Sequence, residues 1–367
     1  MLSKRISAVF ILLIMVELSL ASIFRAYLYG LPFPEPSQGT PVERMETFLG
    51  EAVPFSRTLR SAMVELRYLL GFREQDGIFL TENRLIENIE EPVSSYVQSN
   101  TEALIHFAQQ QSIPTYITLI PTASAILQNA TPSFSDSRIY NQKQFIDERY
   151  KNFSGSLFCI DVYSALLQNN SQSLYFGTES LLSMQGGYFV YETVSRRMGN
   201  APYGLDRFEI SHLPQRYYGS LYHRVEFRNV EPDTISLFYY RGDSKEFSVV
   251  HHEETDKVYY TLFPTFLADL GSPLDVMLGG QSPVVDIEQQ RKFNNSLLVF
   301  CDRQMFSVLP FLACDYRNIR ALDLQQATEQ QLQDIRISQY DEILFAYSVD
   351  TFMHSNAISR IKNGSWE

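Results

Sequence analysis

From about residue 100 onward, helical patterns alternate with short, continuous apolar runs. The apolar runs predict strands at Thr115–Ile120, Leu157–Ile160, Ser296–Cys301, Ile319–Leu322 and Ile343–Tyr347. The amphipathic stretches predict helices over Ala103–Gln111, Ile139–Tyr150 and Glu329–Ile337. Continuous apolar strands are typical of parallel sheets that are covered on both faces, and right-handed crossovers wind such helices onto both sides. The sequence therefore predicts an α/β fold with a doubly wound parallel sheet in three layers.

Residues 211–265 interrupt this alternation with shorter, β-rich runs. These runs are Gly219–Tyr222, Thr234–Tyr240, Phe247–His251 and Lys257–Leu262. Turn signals separate them, and we interpret Arg241-Gly242-Asp243 as a hairpin turn rather than an adhesion motif. The pattern predicts an antiparallel β insertion that lies beside the main sheet.

The N-terminus, residues 1–28, carries a membrane-targeting pattern. Lys4 and Arg5 precede the run Ile6–Phe24, which is almost wholly apolar and close to the ~20 residues that span a bilayer. The basic flank predicts a single-pass anchor with the N-terminus inside and the main domain extracytoplasmic, at the cell membrane. The alternative is cleaved secretion, because Ser19-Leu20-Ala21 has the small residues of a signal-peptidase site.

Residues 29–43 form a predicted linker that is rich in proline and glycine, and residues 44–367 form the predicted domain. The domain opens with a helical pattern over Met45–Leu70. Its apolar residues Leu59, Met63, Leu66 and Leu70 recur at steps of three and four.

Composition excludes several classes of protein. A hydrophobic content of 45% and a charged content of 20% allow a large core. The formal net charge of −12 argues against nucleic acid as a partner, because phosphate binding needs a basic surface. Cys159, Cys301 and Cys314 each lie in an apolar run, which predicts buried thiols rather than a disulfide framework.

The most informative stretch is Leu174–Gly199. A turn at Gly177-Thr178 precedes a helix predicted from Val190, Val194 and Met198. Thr178 is followed after seven residues by Gly186, Gly187, Tyr188 and, further on, Tyr191. This frame resembles the signature of the DHHW family, a bacterial branch of the SGNH hydrolase superfamily that is related to alginate O-acetyltransferases. The resemblance implies an SGNH-like domain with permuted motif order, in which the acid–base motif precedes the serine turn.

The residues inside this frame depart from the family pattern. Where the family has Asp-His-His, this chain has Glu179, Ser180 and Leu181. At the second motif, which follows the strand Leu297–Cys301, the family's aspartate is kept as Asp302, but Arg303 stands where the resemblance implies the serine nucleophile. A guanidinium stays charged in proteins and cannot act as a nucleophile. We therefore predict a degenerate site at Glu179, Ser180, Leu181, Asp302 and Arg303, with an ion pair between Arg303 and Asp302 that closes it. The alternative is an open site in which Arg303 attracts an anionic group such as a uronic acid carboxylate.

Two further segments match the family in outline. Gly279-Gly280-Gln281 resembles a Gly-Gly-Asn segment that is implied to donate hydrogen bonds to the oxyanion. Asp323 is kept from an Asp-x-Arg pattern, while Gln325 replaces the arginine.

Other chemically interesting residues have simpler interpretations. Ser180 and Ser183 are predicted to cap or turn the chain. His251 and His252 are adjacent on a strand and so point to opposite faces, which disfavours a shared metal ion. His354 follows a strand end and is the residual candidate for a catalytic base. The insertion contains paired tyrosines, for which we predict ordinary packing within the sheets and, as the alternative, a glycan-binding surface. The pairs are Tyr217-Tyr218, Tyr239-Tyr240 and Tyr259-Tyr260. No metal or cofactor is expected.

Function is therefore predicted mainly through the resemblance. We expect a membrane-anchored, non-catalytic accessory in cell-surface polysaccharide O-acetylation or glycan binding, with a membrane-bound O-acyltransferase and a polysaccharide as partners. The alternative is an active polysaccharide O-acetyltransferase or esterase with a relocated site. A structural envelope protein without a ligand is a third interpretation.

Overall fold

Among the described residues of the computed structural model, five parallel strands make up one side of an eight-stranded sheet, and three antiparallel strands make up the other. The structure describes residues 56–132, 139–242, 247–289 and 295–364, together with Glu17, Ala21 and Phe24. Apart from those three residues, the predicted anchor Ile6–Phe24 lies outside the described part of the chain, as does the linker 29–43. None of the helices within the described residues has both the length and the apolar character needed to cross a bilayer.

The strands of the described residues are numbered in chain order. They are β1 Glu74–Gln75, β2 Ile78–Leu80, β3 Leu85–Glu87, β4 Thr115–Ile120, β5 Phe158–Cys159, β6 Phe208–Tyr217, β7 Asp233–Tyr240, β8 Phe247–His251, β9 Lys257–Tyr259, β10 Val284–Gln289, β11 Ser296–Cys301, β12 Asn318–Leu322 and β13 Glu342–Ser348. The α-helices are α1 Ser56–Leu69, α2 Ser94–Gln110, α3 Ala123–Ile126, α4 Gln142–Phe153, α5 Tyr163–Gln168, α6 Met184–Arg197, α7 Ser220–Val225, α8 Leu309–Leu312, α9 Glu329–Gln333 and α10 Val349–His354.

The large sheet has the order β5-β4-β13-β11-β12-β10-β8-β9. Strands β5 to β12 in this order pair in parallel, whereas β10, β8 and β9 continue the sheet in antiparallel fashion. The central strands β11 and β13 are buried along nearly their whole length, which explains their continuous apolar sequences. Phe300 and Phe345 stack across these two strands, with ring centroids 4.9 Å apart. The predicted α/β fold is confirmed.

The β-rich insertion divides between two sheets. Strands β6 and β7 form a separate antiparallel ribbon, while β8 and β9 extend the edge of the large sheet. The prediction of a β run at Gly219–Tyr222 is wrong, because Ser220–Val225 forms helix α7. Acceptors from the turn at Thr178 and Glu179 bind the first N–H groups of that helix, an interaction that local sequence does not reveal.

The chain divides into two compact units according to its internal contacts. One comprises residues 1–72 and 225–228, and the other comprises residues 73–224 and 229–367. Both the large sheet and the predicted site residues belong to the second unit.

Candidate functional site

A polar cavity of about 310 Å³ lies at the carboxyl ends of the parallel strands, where open α/β sheets usually bind ligands. Strand ends contribute Thr122 after β4, Asp302 after β11, Asp323 after β12 and Ser348 at the end of β13. The segment between α5 and α6 adds Glu179, Ser180 and Leu181, and the segment before β10 adds Gln281. The structure thus brings both predicted motif segments to one cavity.

Gln304 connects the two motif segments directly. Its side-chain oxygen accepts a hydrogen bond from the backbone N–H of Leu182 at 2.8 Å, and its amide group donates to the carbonyl of Ser180 at 3.0 Å. Sequence reasoning missed Gln304, although it lies only two residues after Asp302. Its amide fixes the separation of the two loops that line the cavity.

Close backbone packing also holds the motif helix in place. A Cβ atom on Gly187 would lie 2.2 Å from the carbonyl oxygen of Ser307, and one on Gly186 would lie 2.1 Å from that of Leu174. Both distances are far below van der Waals contact, so only glycine fits at these positions. Helix α6 therefore approaches the turn that follows Asp302 more closely than any other residue type would permit.

Asp302 is buried, and its carboxylate accepts hydrogen bonds from backbone N–H groups. One carboxylate oxygen accepts from Gln304 N at 3.0 Å, and the other accepts from Ser348 N at 2.8 Å. Burial raises the pKa of this carboxyl, although the hydrogen bonds from Ser348, Thr351 and Gln304 oppose the rise. The predicted ion pair with Arg303 is wrong, because among the described residues no ion pair joins the two side chains. The carboxylate faces the strand ends instead.

Arg303 is half-buried and lines the cavity as well as a smaller adjoining one. Within the described ranges its guanidinium has neither a hydrogen bond nor an ion pair to a side chain. The carboxylates that line the same cavity are engaged: Glu87 pairs with Arg224, and Asp350 pairs with His354 at 2.8 Å. Arg303 is therefore a cation whose donors are available to a ligand.

Glu179 is 4% exposed and accepts several hydrogen bonds. Its carboxylate accepts from Tyr217 Oη at 2.8 Å, from Ser220 N at 2.9 Å and from Ser180 N at 2.9 Å, and it also accepts from the Ser220 hydroxyl. Burial acts to raise the pKa of this carboxyl, but the hydrogen bonds together outweigh burial and lower the pKa below its usual value. Glu179 thus holds the first turn of α7 as an ionised acceptor.

Asp233, at the start of β7, anchors the turn that precedes Glu179. Its carboxylate accepts from Gly177 N at 2.6 Å and from Thr178 N at 2.8 Å, and the Thr178 hydroxyl donates to it as well. Sequence reasoning did not identify Asp233, because 55 residues separate it from Thr178. Burial raises its pKa against the effect of these donors and of Arg84.

The segment Gly279-Gly280-Gln281 reaches the cavity through Gln281 alone. Gly279 adopts a φ of +89°, and a Cβ atom there would lie 2.3 Å from the Tyr259 ring. The Gly280 N–H donates to the carbonyl of Met277 at 3.1 Å, so this group is used within its own turn. Gln281 hydrogen-bonds to Asp323. Burial raises the pKa of the Asp323 carboxyl.

The serines have the structural roles that were predicted. Ser183 caps helix α6, with Gly186 N donating to its hydroxyl at 3.2 Å. Ser180 lies in the turn, and its hydroxyl donates to Glu179 at 3.4 Å. Of the two, only Ser180 lines the cavity.

The histidines are occupied elsewhere. His251 is buried with Nε2 2.7 Å from the Leu278 carbonyl, and burial lowers its pKa. His252 contacts Asp256 and Asp286 on the other side of the strand. Both ring nitrogens of His354 face oxygen atoms, one of Asp350 and one of the Glu91 backbone. In the described part of the chain, no cluster of three or more metal-ligating side chains occurs.

Comparisons with known proteins agree with this architecture. The family model described as DHHW protein matches residues 95–322. The chain is similar to the crystal structure of a DHHW family protein from Eubacterium siraeum, at 17% identity and a TM-score of 0.62, over 79% of this chain and 98% of that one. It is also similar to Bacillus cereus PatB1 with a sulfonyl adduct, at 18% identity and a TM-score of 0.61, over 77% and 97% of the two chains. A weaker likeness, at 10% identity and a TM-score of 0.48, covers 78% of this chain and 99% of the O-acetyltransferase domain of Pseudomonas putida AlgJ. Curated protein sequences give no match.

Proposed function

Because this chain belongs to the DHHW family, we propose that it is a membrane-held, extracytoplasmic protein that binds glycan in the strand-end cavity without transferring an acyl group. In this proposal Ile6–Phe24 holds the chain at the membrane. A membrane-bound O-acyltransferase and a cell-surface polysaccharide are its partners, and the protein is an accessory in O-acetylation of that polysaccharide.

One observation carries the non-catalytic part of the proposal: a free guanidinium stands where the resemblance implies a serine. Acyl transfer by a serine enzyme needs a nucleophile, a base that takes its proton and donors for the oxyanion. Arg303 cannot act as the nucleophile. No histidine is among the described residues that line the cavity, and Glu179 already accepts hydrogen bonds from Tyr217 and Ser220. These observations support a cavity that binds a ligand without acyl transfer.

The chemistry of the cavity supports a sugar as the ligand. Its volume of about 310 Å³ lies at the lower end of the range for small-molecule sites, roughly 300–1,000 Å³. Amide groups of Gln281 and Gln325 and the guanidinium of Arg303 line it together with carboxylates. Sugar hydroxyls both donate and accept hydrogen bonds, so they match a wall that carries donors as well as acceptors.

The first experiment tests the absence of acyl transfer. The purified chain is incubated with an activated acetyl ester, and covalent acetylation is followed by intact mass spectrometry. We expect no stoichiometric adduct, because no activated nucleophile is among the described residues that line the cavity. An adduct that disappears in Ser180→Ala or Ser183→Ala would refute the proposal and support an O-acetyltransferase or esterase with a relocated site.

The second experiment tests glycan binding. Calorimetry compares uronate-containing and neutral oligosaccharides with the unmodified chain, with Arg303→Ala and with Arg196→Ala, a control at an exposed helical ion pair. A hydrogen bond to a charged group contributes about 1.5–3 kcal/mol, so Arg303→Ala should weaken binding about tenfold or more. Failure of every oligosaccharide to bind, or equal affinities of the two variants, would contradict a glycan site at Arg303.

A further inference from the structure

Helix α1 carries a row of apolar side chains on its outer face. Leu59, Met63, Leu66 and Leu70 follow one another at steps of four, three and four residues, which places them on one side of a helix. Leu70 follows the last residue of α1, and its N–H still donates to Leu66 O at 3.0 Å, which continues the final turn. Their exposed fractions are 57%, 58%, 51% and 68%. Single exposed apolar residues are ordinary, but a contiguous row marks an interaction surface.

The opposite face of α1 is already occupied. Ser61 and Val64 are 1% and 3% exposed, and the Tyr68 ring lies 4.8 Å from the ring of Phe227. The helix is therefore held in its unit by this face. Its outer row is not needed for that packing.

The charged residues beside the row indicate which kind of partner this surface can bind. Arg60 and Arg67 are exposed and seven residues apart, so they flank the same side of the row. The guanidinium of Arg67 lies 5.2 Å from the ring centre of Phe72, which is itself 53% exposed. The chain as a whole has a net charge of −12, so a basic edge beside an apolar row departs from its general character. An apolar face flanked by arginines is typical of helices that lie in the interface of anionic membranes.

We propose that α1 rests on the membrane surface, with the row Leu59–Leu70 among the upper acyl chains and Arg60 and Arg67 at lipid phosphates. This contact is separate from the predicted anchor Ile6–Phe24, since Ser56 follows that run after a proline-rich linker. It rests on the proposed membrane location but does not depend on glycan binding. Its effect would be to hold the unit that contains α1 at the bilayer surface.

The test uses a fluorescent reporter on the full chain. A Met63→Cys variant in a Cys159→Ala background is labelled with an environment-sensitive dye, because Cys301 and Cys314 are buried. A Glu65→Cys variant, which lies off the row, is the matched control. Both are placed in nanodiscs of phosphatidylcholine and phosphatidylglycerol that hold one chain each, with and without nitroxide-bearing lipids. We expect a blue shift and loss of most fluorescence at position 63, and little change at position 65.

Other outcomes would overturn the proposal. Absence of lipid quenching at position 63 would show that the row does not enter the bilayer and would refute the contact. Quenching that is unchanged by Arg60→Glu with Arg67→Glu, or by omission of phosphatidylglycerol, would remove the assigned role of the arginines. A blue shift only when two chains share a disc would identify the row as a contact between copies. Recovery of the chain outside the discs would count against the anchor. The labelled chain would then be mixed with vesicles of the same lipids, and absence of quenching at position 63 would contradict the contact of α1 with the membrane.

Discussion

Replacing Asp315 by asparagine should make the stability of the fold less dependent on pH. Asp315 follows α8, is 9% exposed and accepts hydrogen bonds from the Ser195 hydroxyl at 2.6 Å and from the Tyr191 hydroxyl at 3.3 Å. These neutral donors only partly oppose the effect of burial, which raises its pKa from 3.8 to about 6. The folded chain therefore holds this proton more tightly than the unfolded chain does.

The sign of the effect follows from proton linkage. Because the pKa of Asp315 is higher in the folded state than in the unfolded state, the folded chain binds more protons between about pH 4 and pH 6. Its stabilising contribution is complete below pH 3.8 and is lost as pH rises through about 6. A difference of roughly 2 between the two pKa values corresponds to about 3 kcal/mol in full, of which about 2 kcal/mol is lost between pH 4.5 and pH 7.5.

Urea unfolding followed by circular dichroism at pH 4.5 and pH 7.5 measures this effect. The amide introduced by Asp315→Asn does not titrate, so relative to the unmodified chain the free energy of unfolding should improve by about 2 kcal/mol from the lower to the higher pH. A constant cost of the amide cancels in this comparison. Ser195→Ala removes a donor to the carboxylate and should enlarge the pH dependence of the chain. An equal difference between Asp315→Asn and the unmodified chain at both pH values would refute the reasoning.

Two further substitutions test how the motif loops are held. Gly187→Ala should lower the free energy of unfolding by about 1–3 kcal/mol in spite of the better helix propensity of alanine, because its Cβ would meet the Ser307 carbonyl at 2.2 Å; Gln185→Ala on the same helix is the control, and equal urea midpoints would count against the contact. Asp233→Ala should cost about 2–4 kcal/mol by leaving the N–H groups of the turn at 177–178 without their acceptor; an unchanged thermal midpoint would show that water replaces the carboxylate without loss.

The parallel core could be predicted from sequence because each strand carries its own signal. Strands β11 and β13 are buried on both faces, and their continuous apolar runs predict such burial. The convergence of Glu179 and Arg303 on one cavity was likewise foreseen, through the resemblance in segment order. The role of these residues as a degenerate site stays a prediction.

Contacts between distant segments could not be predicted in the same way. Asp233 binds Thr178 across 55 residues, and Gln304 binds Leu182 across 122 residues; neither pair has a local pattern. The row at Leu59 and Met63 was identified as helical, but periodicity alone does not state whether an apolar face is covered. Asp302 and Arg303 are neighbours in sequence, yet the Asp302 carboxylate accepts from the backbone N–H groups of Gln304 and Ser348, whereas the Arg303 guanidinium has no side-chain partner among the described residues.

The two glycines at the start of α6 are a feature of the fold and carry no information about the reaction. Gly186 and Gly187 are required by the backbones of Leu174 and Ser307, whatever side chains occupy the cavity nearby. Such a contact affects the stability of the fold, so it is expected to be kept whether or not the cavity carries out a reaction. A match to this frame therefore reports the fold, and whether such a chain can transfer an acyl group has to be judged from the cavity residues, above all from the second residue after β11, which is Arg303 here.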